Sequence, residues 1–194
     1  YNQGGADVDL STWSLQYRSA TGTSASNGVG ALSGTIKAHS YFLVQLNGNG
    51  STGAALPTPD LDLAGKVTPS GTTGTLILAK TTSAITSPTG SVTGNQNIAD
   101  LLGYGASNTY EGRVVPVTGG NDTPNSLART DFADTDDNRS DFTHPASITP
   151  QNSASSSPSP SPSPTTSPTS SPTASPSPSP TTPAASVTPI ANIQ

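Results

Sequence analysis

The chain has 194 residues, a formal charge of −5 and no cysteine, with 30% hydrophobic and 5% aromatic residues. This excludes disulfide frameworks, thiolate catalysis and cysteine-held zinc, and the acidic balance disfavours autonomous binding to a nucleic-acid backbone. So small an apolar share argues against long amphipathic helices, and no run approaches the ~20 apolar residues that cross a bilayer. Abundant Thr, Ser, Gly and Asn predict many short strands joined by turns.

In chain order, Val8 and Leu10 alternate out of phase with Trp13, which predicts a turn near Ser11 and Thr12, with Asp9 placed to form it. Trp13, Leu15 and Tyr17 then alternate with Ser14, Gln16 and Arg18, which predicts a strand whose first set is buried and whose second set is wet. The most apolar run, 40–46, predicts a strand with Phe42, Val44 and Leu46 toward the core. The Gly/Asn tract 47–53, followed by Pro57 and Pro59, predicts a long loop after it. Leu76, Ile77 and Leu78 centre a strand over 75–80. Residues 98–104 are apolar enough for a strand or a helical turn, and Gly103 and Gly105 favour a strand entering a turn; 126–130 and Phe142 with Thr143 predict two weaker strands. About six strands without a helix of ordinary length fit an all-β, immunoglobulin-like β-sandwich, which needs about seven.

Composition changes at Ser153, beyond which lie 11 of the 19 prolines and no charged side chain. Residues 153–186 are expected to be a disordered Ser/Thr/Pro linker, because proline removes backbone donors and there are no large apolar side chains to build a core. Apolar residues return at Val187, Ile190 and Ile193, so 187–194 is expected to open a further domain outside the chain. The folded domain is assigned to 1–152, which holds every charged and every aromatic residue. Uncharged spacers of this kind suit extracellular modular proteins, and the absence of cysteine points to a bacterial exported protein.

Few residues suggest chemistry. His39 and His144 neighbour turns and lack metal-pair spacing, and they are read as exposed loop histidines. No Gly-x-Ser-x-Gly elbow and no phosphate loop with lysine is present. The densest acidic cluster comprises Asp131, Asp134, Asp136, Asp137 and Asp141. Oxygens at Asp134, Asp136 and Asn138 resemble the opening of a calcium loop, so 134–141 is a weak calcium candidate. The match fails further on, where Arg139 stands in the glycine position and Pro145 in that of the bidentate glutamate; capped turns are the plainer reading. Trp13, the sole tryptophan, reads as a core residue before it reads as a sugar platform. Asn49, Asn121 and Asn138 begin glycosylation sequons, which are frequent by chance in so Ser/Thr-rich a chain.

Several stretches resemble the bacterial branch of the lamin tail domain family. Asp9-Leu10-Ser11-Thr12-Trp13 is similar to its Asp-Leu-Ser-Gly-Trp strand, with Thr12 in place of glycine. Leu32-Ser33-Gly34-Thr35-Ile36 and Tyr41-Phe42-Leu43-Val44-Gln45 resemble its second region, and Asp100-Leu101-Leu102-Gly103-Tyr104-Gly105 with Tyr110-Glu111-Gly112 its third. Ser126-Leu127-Ala128-Arg129, Asp134-Thr135-Asp136-Asp137-Asn138, Asp141-Phe142 and Pro150-Gln151-Asn152-Ser153 resemble its closing signature. The resemblance implies an immunoglobulin-like sandwich. The family's domains open with one or two strands before the Tyr-Asn found here at Tyr1 and Asn2, so it also implies that those strands are missing. The family carries no catalytic residues, so no catalytic, cofactor or metal role passes to Asp136 or Arg129.

The resemblance also implies a partner, because in bacteria such domains accompany secreted nucleases of the endonuclease/exonuclease/phosphatase class. The expected function is therefore a non-catalytic accessory module for adhesion, targeting or spacing, tethered to a downstream enzyme domain in the same polypeptide. An alternative is a carbohydrate- or cell-surface-binding module that uses Trp13 and Tyr41, or the acidic loop, as its contact surface. A third reading, part of a nuclease's DNA-holding surface, is opposed by the negative charge.

Overall fold

The computed structural model describes residues 1–24, 28–48, 53–86, 89–119 and 125–155. Asn49, Asn121, nearly all of the expected linker and the 187–194 segment lie outside the described residues. The described chain is all-β, with strands β1 (Val8–Asp9), β2 (Ser14–Arg18), β3 (Val29–Ala31), β4 (Thr35–Ile36), β5 (Val44–Leu46) and β6 (Leu61–Leu63) in its first half. β7 (Gly74–Ala79), β8 (Gly90–Ser91), β9 (Ile98–Tyr104), β10 (Thr109–Tyr110), β11 (Ala128–Arg129) and β12 (Phe142–Thr143) follow. A 3-10 turn at Thr130–Phe132 and a single helical turn, α1 (Asn138–Asp141), separate the last two. No helix among the described residues is long and apolar enough to cross a membrane.

The centre is a four-stranded antiparallel sheet in the order β3-β2-β7-β9. Its register places Ser14 opposite Ala79, Gln16 opposite Ile77, and Ile77 opposite Leu101. Residues directly opposite share a face, so Ser14, Gln16 and Arg18 lie with Ile77, Ala79 and Leu101, and Leu15 and Tyr17 lie with Leu76 and Leu78. One hydrophobic cluster gathers Tyr17, Leu10, Leu32, Leu63, Val67, Tyr104 and Val115, and a second gathers Ile77, Ala79, Ile85, Val92 and Leu101. The first is covered by the parallel pair β5-β6. That layer lies close: a Cβ at Gly30 would stand 2.6 Å from Leu63 Cδ1 and 2.9 Å from Val67 Cγ2, so a glycine is needed where β3 passes beneath it.

The polar face of β2 is not wet. Ser14, Gln16 and Arg18 are fully buried, whereas Trp13 and Leu15 are only half-buried. The segment after β7 and Thr109 of β10 supply hydrogen-bond partners to this face. Ser14 Oγ donates to the Thr81 carbonyl (2.6 Å), Gln16 Nε2 donates to the Ser83 carbonyl (2.9 Å), and Gln16 Oε1 accepts from the Ile85 amide (2.8 Å). Arg18 donates through Nη1 to Thr109 Oγ1 (3.1 Å) and through Nη2 to the Ile85 carbonyl (3.2 Å). Period-two alternation thus marks two kinds of interior, one apolar and one polar and hydrogen-bonded, because a central strand is covered on both faces.

Arg18→Ala is expected to cost roughly 3–4 kcal/mol, since it leaves a cavity as well as an orphaned carbonyl at Ile85. Arg18→Met fills most of that volume and removes the buried charge, so it should cost less than half as much. Urea unfolding of both variants checks this; equal losses would mean that the charge and not the packing matters.

Other expectations shift by small amounts. The Ser11 amide donates to Asp9 Oδ1 (2.9 Å), which forms the turn expected between Leu10 and Trp13. The strand over 98–104 stands as read, and the one over 75–80 begins one residue earlier. The run 40–46 contributes only Val44–Leu46, because the Leu43 amide turns aside to Asp60 Oδ2 (2.7 Å). Asp60 also accepts from the Ser153 amide (2.9 Å) and hydroxyl, so it ties the end of the described chain to the β5-β6 layer. Burial alone would raise the Asp60 carboxyl, but the hydrogen bonds from Ser153 and Leu43 outweigh it and hold it below the usual carboxylate range.

Candidate functional site

The Asp-rich segment between β11 and β12 is a tightly braced loop. Asp131 (φ 49°), Phe132 (φ 57°) and Asp136 (φ 55°) all adopt left-handed backbone. Aspartate tolerates this conformation, but a bulky aromatic residue does so at a cost of roughly 1–3 kcal/mol that the surroundings must hold in place. Three side chains supply the bracing. Gln3 Nε2 donates to the Phe132 carbonyl (2.7 Å) and Arg129 Nη1 to the Ala133 carbonyl (2.7 Å). Asp141, almost fully buried, accepts from the Thr135 amide (3.0 Å) and the Thr135 hydroxyl (2.6 Å).

Arg129 is the hub. Its Nη2 meets Asp100 at 2.5 Å, and its Nη1 meets Asp134 at 3.3 Å and Asp141 at 3.4 Å. The guanidinium also stacks 4.4 Å above the centre of the Phe142 ring. Asp137 is engaged separately, with Arg113 and the Ser140 hydroxyl, and that pairing pulls its carboxyl down.

Beside this hub, Tyr1, Tyr41, Phe132, Gln3, Asp100, Ala128, Arg129 and Asp134 wall a cavity of about 440 Å³. The Tyr1 and Phe132 rings stack at 4.2 Å between centroids, and Tyr41 leans against Tyr1 at 4.7 Å and an angle of 52°. The cavity therefore has an aromatic side and a charged side, and both are fixed by the same braced loop.

A second, smaller cavity of about 130 Å³ is lined by Glu111, Asp134, Asp136 and Asn95, among others. Asp100, Glu111 and Asp134 each place one carboxylate oxygen within 4.8 Å of the others. Glu111 is buried, and burial, with the charges of Asp100, Asp134 and Asp136, pushes its carboxyl up to about 8. Asp100 is likewise raised by burial, against the pull of Arg129. Like charges this close favour holding a proton.

Asn138 organises this region from within. Fully buried, it accepts through Oδ1 from the Gly103 amide (2.8 Å) and the Glu111 amide (3.1 Å). Its Nδ2 donates to the Leu101 carbonyl (2.6 Å) and to Glu111 Oε2 (3.1 Å). Both ends of the amide are therefore engaged in joining α1 to β9. The chain packs closely here: a Cβ on Gly103 would collide with the Thr109 carbonyl.

The residues singled out by sequence are dispersed. Of the calcium-loop oxygens, Asp134 and Asp136 face the small cavity, whereas Asn138 is withdrawn into the interior, and that burial also removes it as a glycosylation site. Asp141 is turned inward toward Thr135 and Arg129. His39 sits in a left-handed turn and is exposed. His144 bridges Asn125 (2.8 Å) and the Pro116 carbonyl (3.0 Å) in a structural contact. Neither histidine lines the aromatic cavity, and neither does Trp13, which packs half-buried against the first core cluster; Tyr41 does line it. Tyr1, Asp100, Arg129 and Phe132 are the site residues that sequence reading did not single out. An arginine followed within three residues by an aromatic, in an Asp-dense loop, is a signal that could have found Arg129 and Phe132; Tyr1 and Asp100 carried none.

The raised Glu111 carboxyl has a definite sign in stability. Between its ordinary value of 4.5 and about 8, the folded chain holds a proton that the unfolded chain releases. Stability should therefore fall as pH rises through that window, by roughly 4 kcal/mol in all, and level off above it. Glu111→Gln, which mimics the protonated form, should remove this slope and exceed the wild type in Tm at pH 9. Melting curves of both proteins from pH 5 to 9 measure the difference; parallel curves would contradict the assignment.

Comparison of the chain with protein-family models, with curated proteins and with solved structures gave no match.

Proposed function

We propose that the chain is a non-catalytic accessory module, an immunoglobulin-like β-sandwich of the lamin tail type. In this reading it belongs to a secreted bacterial hydrolase, a nuclease in the simplest case, and residues 153–186 are the spacer to the enzyme domain. The observation that carries the reading is the braced aromatic cavity. Arg129, Asp141 and Gln3 hold Phe132 in a left-handed conformation against Tyr1 and Tyr41. Backbone strain stabilised by its surroundings at a cavity wall is characteristic of ligand-binding loops. Asp100, Asp134 and Asp141 are each paired with Arg129.

The module works by keeping its partner enzyme near a surface, which raises the local concentration of that enzyme without contributing chemistry. The 194-residue chain should co-sediment with purified bacterial cell walls and should release no product from DNA or phosphate esters with magnesium or calcium. Metal-dependent turnover, or failure to co-sediment, would overturn the proposal.

In this reading no resident metal is invoked: Arg129 lies against Asp100 and Asp134, and burial favours the protonated form of Glu111. A calcium titration by calorimetry should give no heat, and millimolar calcium should leave Tm unchanged. A saturable heat would assign the carboxylates to a cation.

A further inference from the structure

We propose that the cavity walled by Tyr1, Tyr41 and Phe132 binds an uncharged saccharide. This rests on the accessory-module reading and names the ligand of its site. The volume, about 440 Å³, falls in the range of roughly 300–1,000 Å³ typical of small-ligand sites. One side is aromatic: three rings lie within 4.2–6.4 Å of one another, and Tyr1 is exposed. The other side is polar, with Asp100, Asp134, Arg129 and Gln3. A pyranose presents the same two characters, an apolar C–H face that packs on rings and a rim of hydroxyls that donate and accept.

Charge decides against anions. The Arg129 donors are directed to Asp100, Asp134, Asp141 and the Ala133 carbonyl. Three carboxylates around one guanidinium leave this wall net negative, which repels an anion. Asp134 meets Arg129 only through Oδ1 and its side chain is half exposed, so it stays available to accept a hydroxyl hydrogen. What suits this wall is a neutral ligand rich in hydroxyls.

The experiment screens the 194-residue chain on a printed array of neutral and anionic oligosaccharides. The strongest neutral hit is then titrated against wild type, Tyr41→Ala and Phe132→Gly. Glycine adopts a φ of this sign without strain, so Phe132→Gly removes the ring while keeping the loop, and its Tm should stay within a few degrees of wild type. Binding to neutral glycans, weakened at least tenfold in each variant, is the expected result. Binding to anionic glycans alone, no neutral hit, or unchanged affinity in either variant would overturn the saccharide assignment. Those outcomes leave the module reading intact if the chain still co-sediments with cell walls; turnover or loss of co-sedimentation is what removes that reading.

Discussion

Asn138→Ala is expected to remove roughly 4–6 kcal/mol of stability, enough to unfold much of the protein at room temperature. The substitution orphans the Gly103 and Glu111 amides and the Leu101 carbonyl, all at a buried side chain. Each unsatisfied buried group costs about 1–3 kcal/mol, against a total of about 5–15 kcal/mol for a domain. Asn138→Asp keeps both acceptor contacts but loses the donor to Leu101 and to Glu111 and buries a carboxylate in their place. It should be nearly as damaging at neutral pH and partly recovered in acid, where the introduced carboxyl takes up a proton and can donate again. Urea unfolding at pH 5 and pH 7.5 separates these effects. A loss below ~1 kcal/mol for the alanine variant would mean that water replaces the amide.

Arg129→Met should cost about 3–5 kcal/mol, because it leaves Asp141 buried and charged and frees Asp100 and Asp134 to repel each other. Arg129→Lys retains the charge but not the fork that reaches three carboxylates and the Ala133 carbonyl, so it should recover less than half of the loss. Both variants should also lose ligand affinity, since Ala133 follows Phe132 directly and its carbonyl is held by Arg129. A lysine variant with wild-type stability would show that the pairs act by charge alone.

Much of the all-β character was legible in the sequence, because a sparse apolar alphabet broken by glycine and proline leaves short strands as the only economical way to bury what there is. Leu76 to Leu78 and 98–104 read correctly, since the first is a continuous apolar run, the second is apolar apart from Asp100 and Gly103, and glycines lie at their ends. β6 and β10 did not, being two or three residues long and defined by partners distant in sequence. The facing of β2 was half legible: the alternation of Trp13 with Ser14 gave the two faces, but which segment covers the polar one is decided by long-range packing.

The site was less legible. Tyr41 stood out as an aromatic residue, and the acidic cluster stood out by density. Arg129 and Phe132 gave little sign, because a hub is defined by the partners that folding brings to it. Asn138 carried a misleading signal: the alternate-oxygen spacing that suggests a calcium loop is also what a buried amide linking α1 to β9 looks like in one dimension.

The most direct measurement is the dissociation constant for purified bacterial cell-wall polysaccharide of the wild-type chain and of Phe132→Gly, with Tm recorded alongside. A braced aromatic cavity as the working surface predicts binding by the wild type, at least a tenfold loss in the variant, and little change in Tm. Equal affinity in the two proteins, at equal stability, would contradict it.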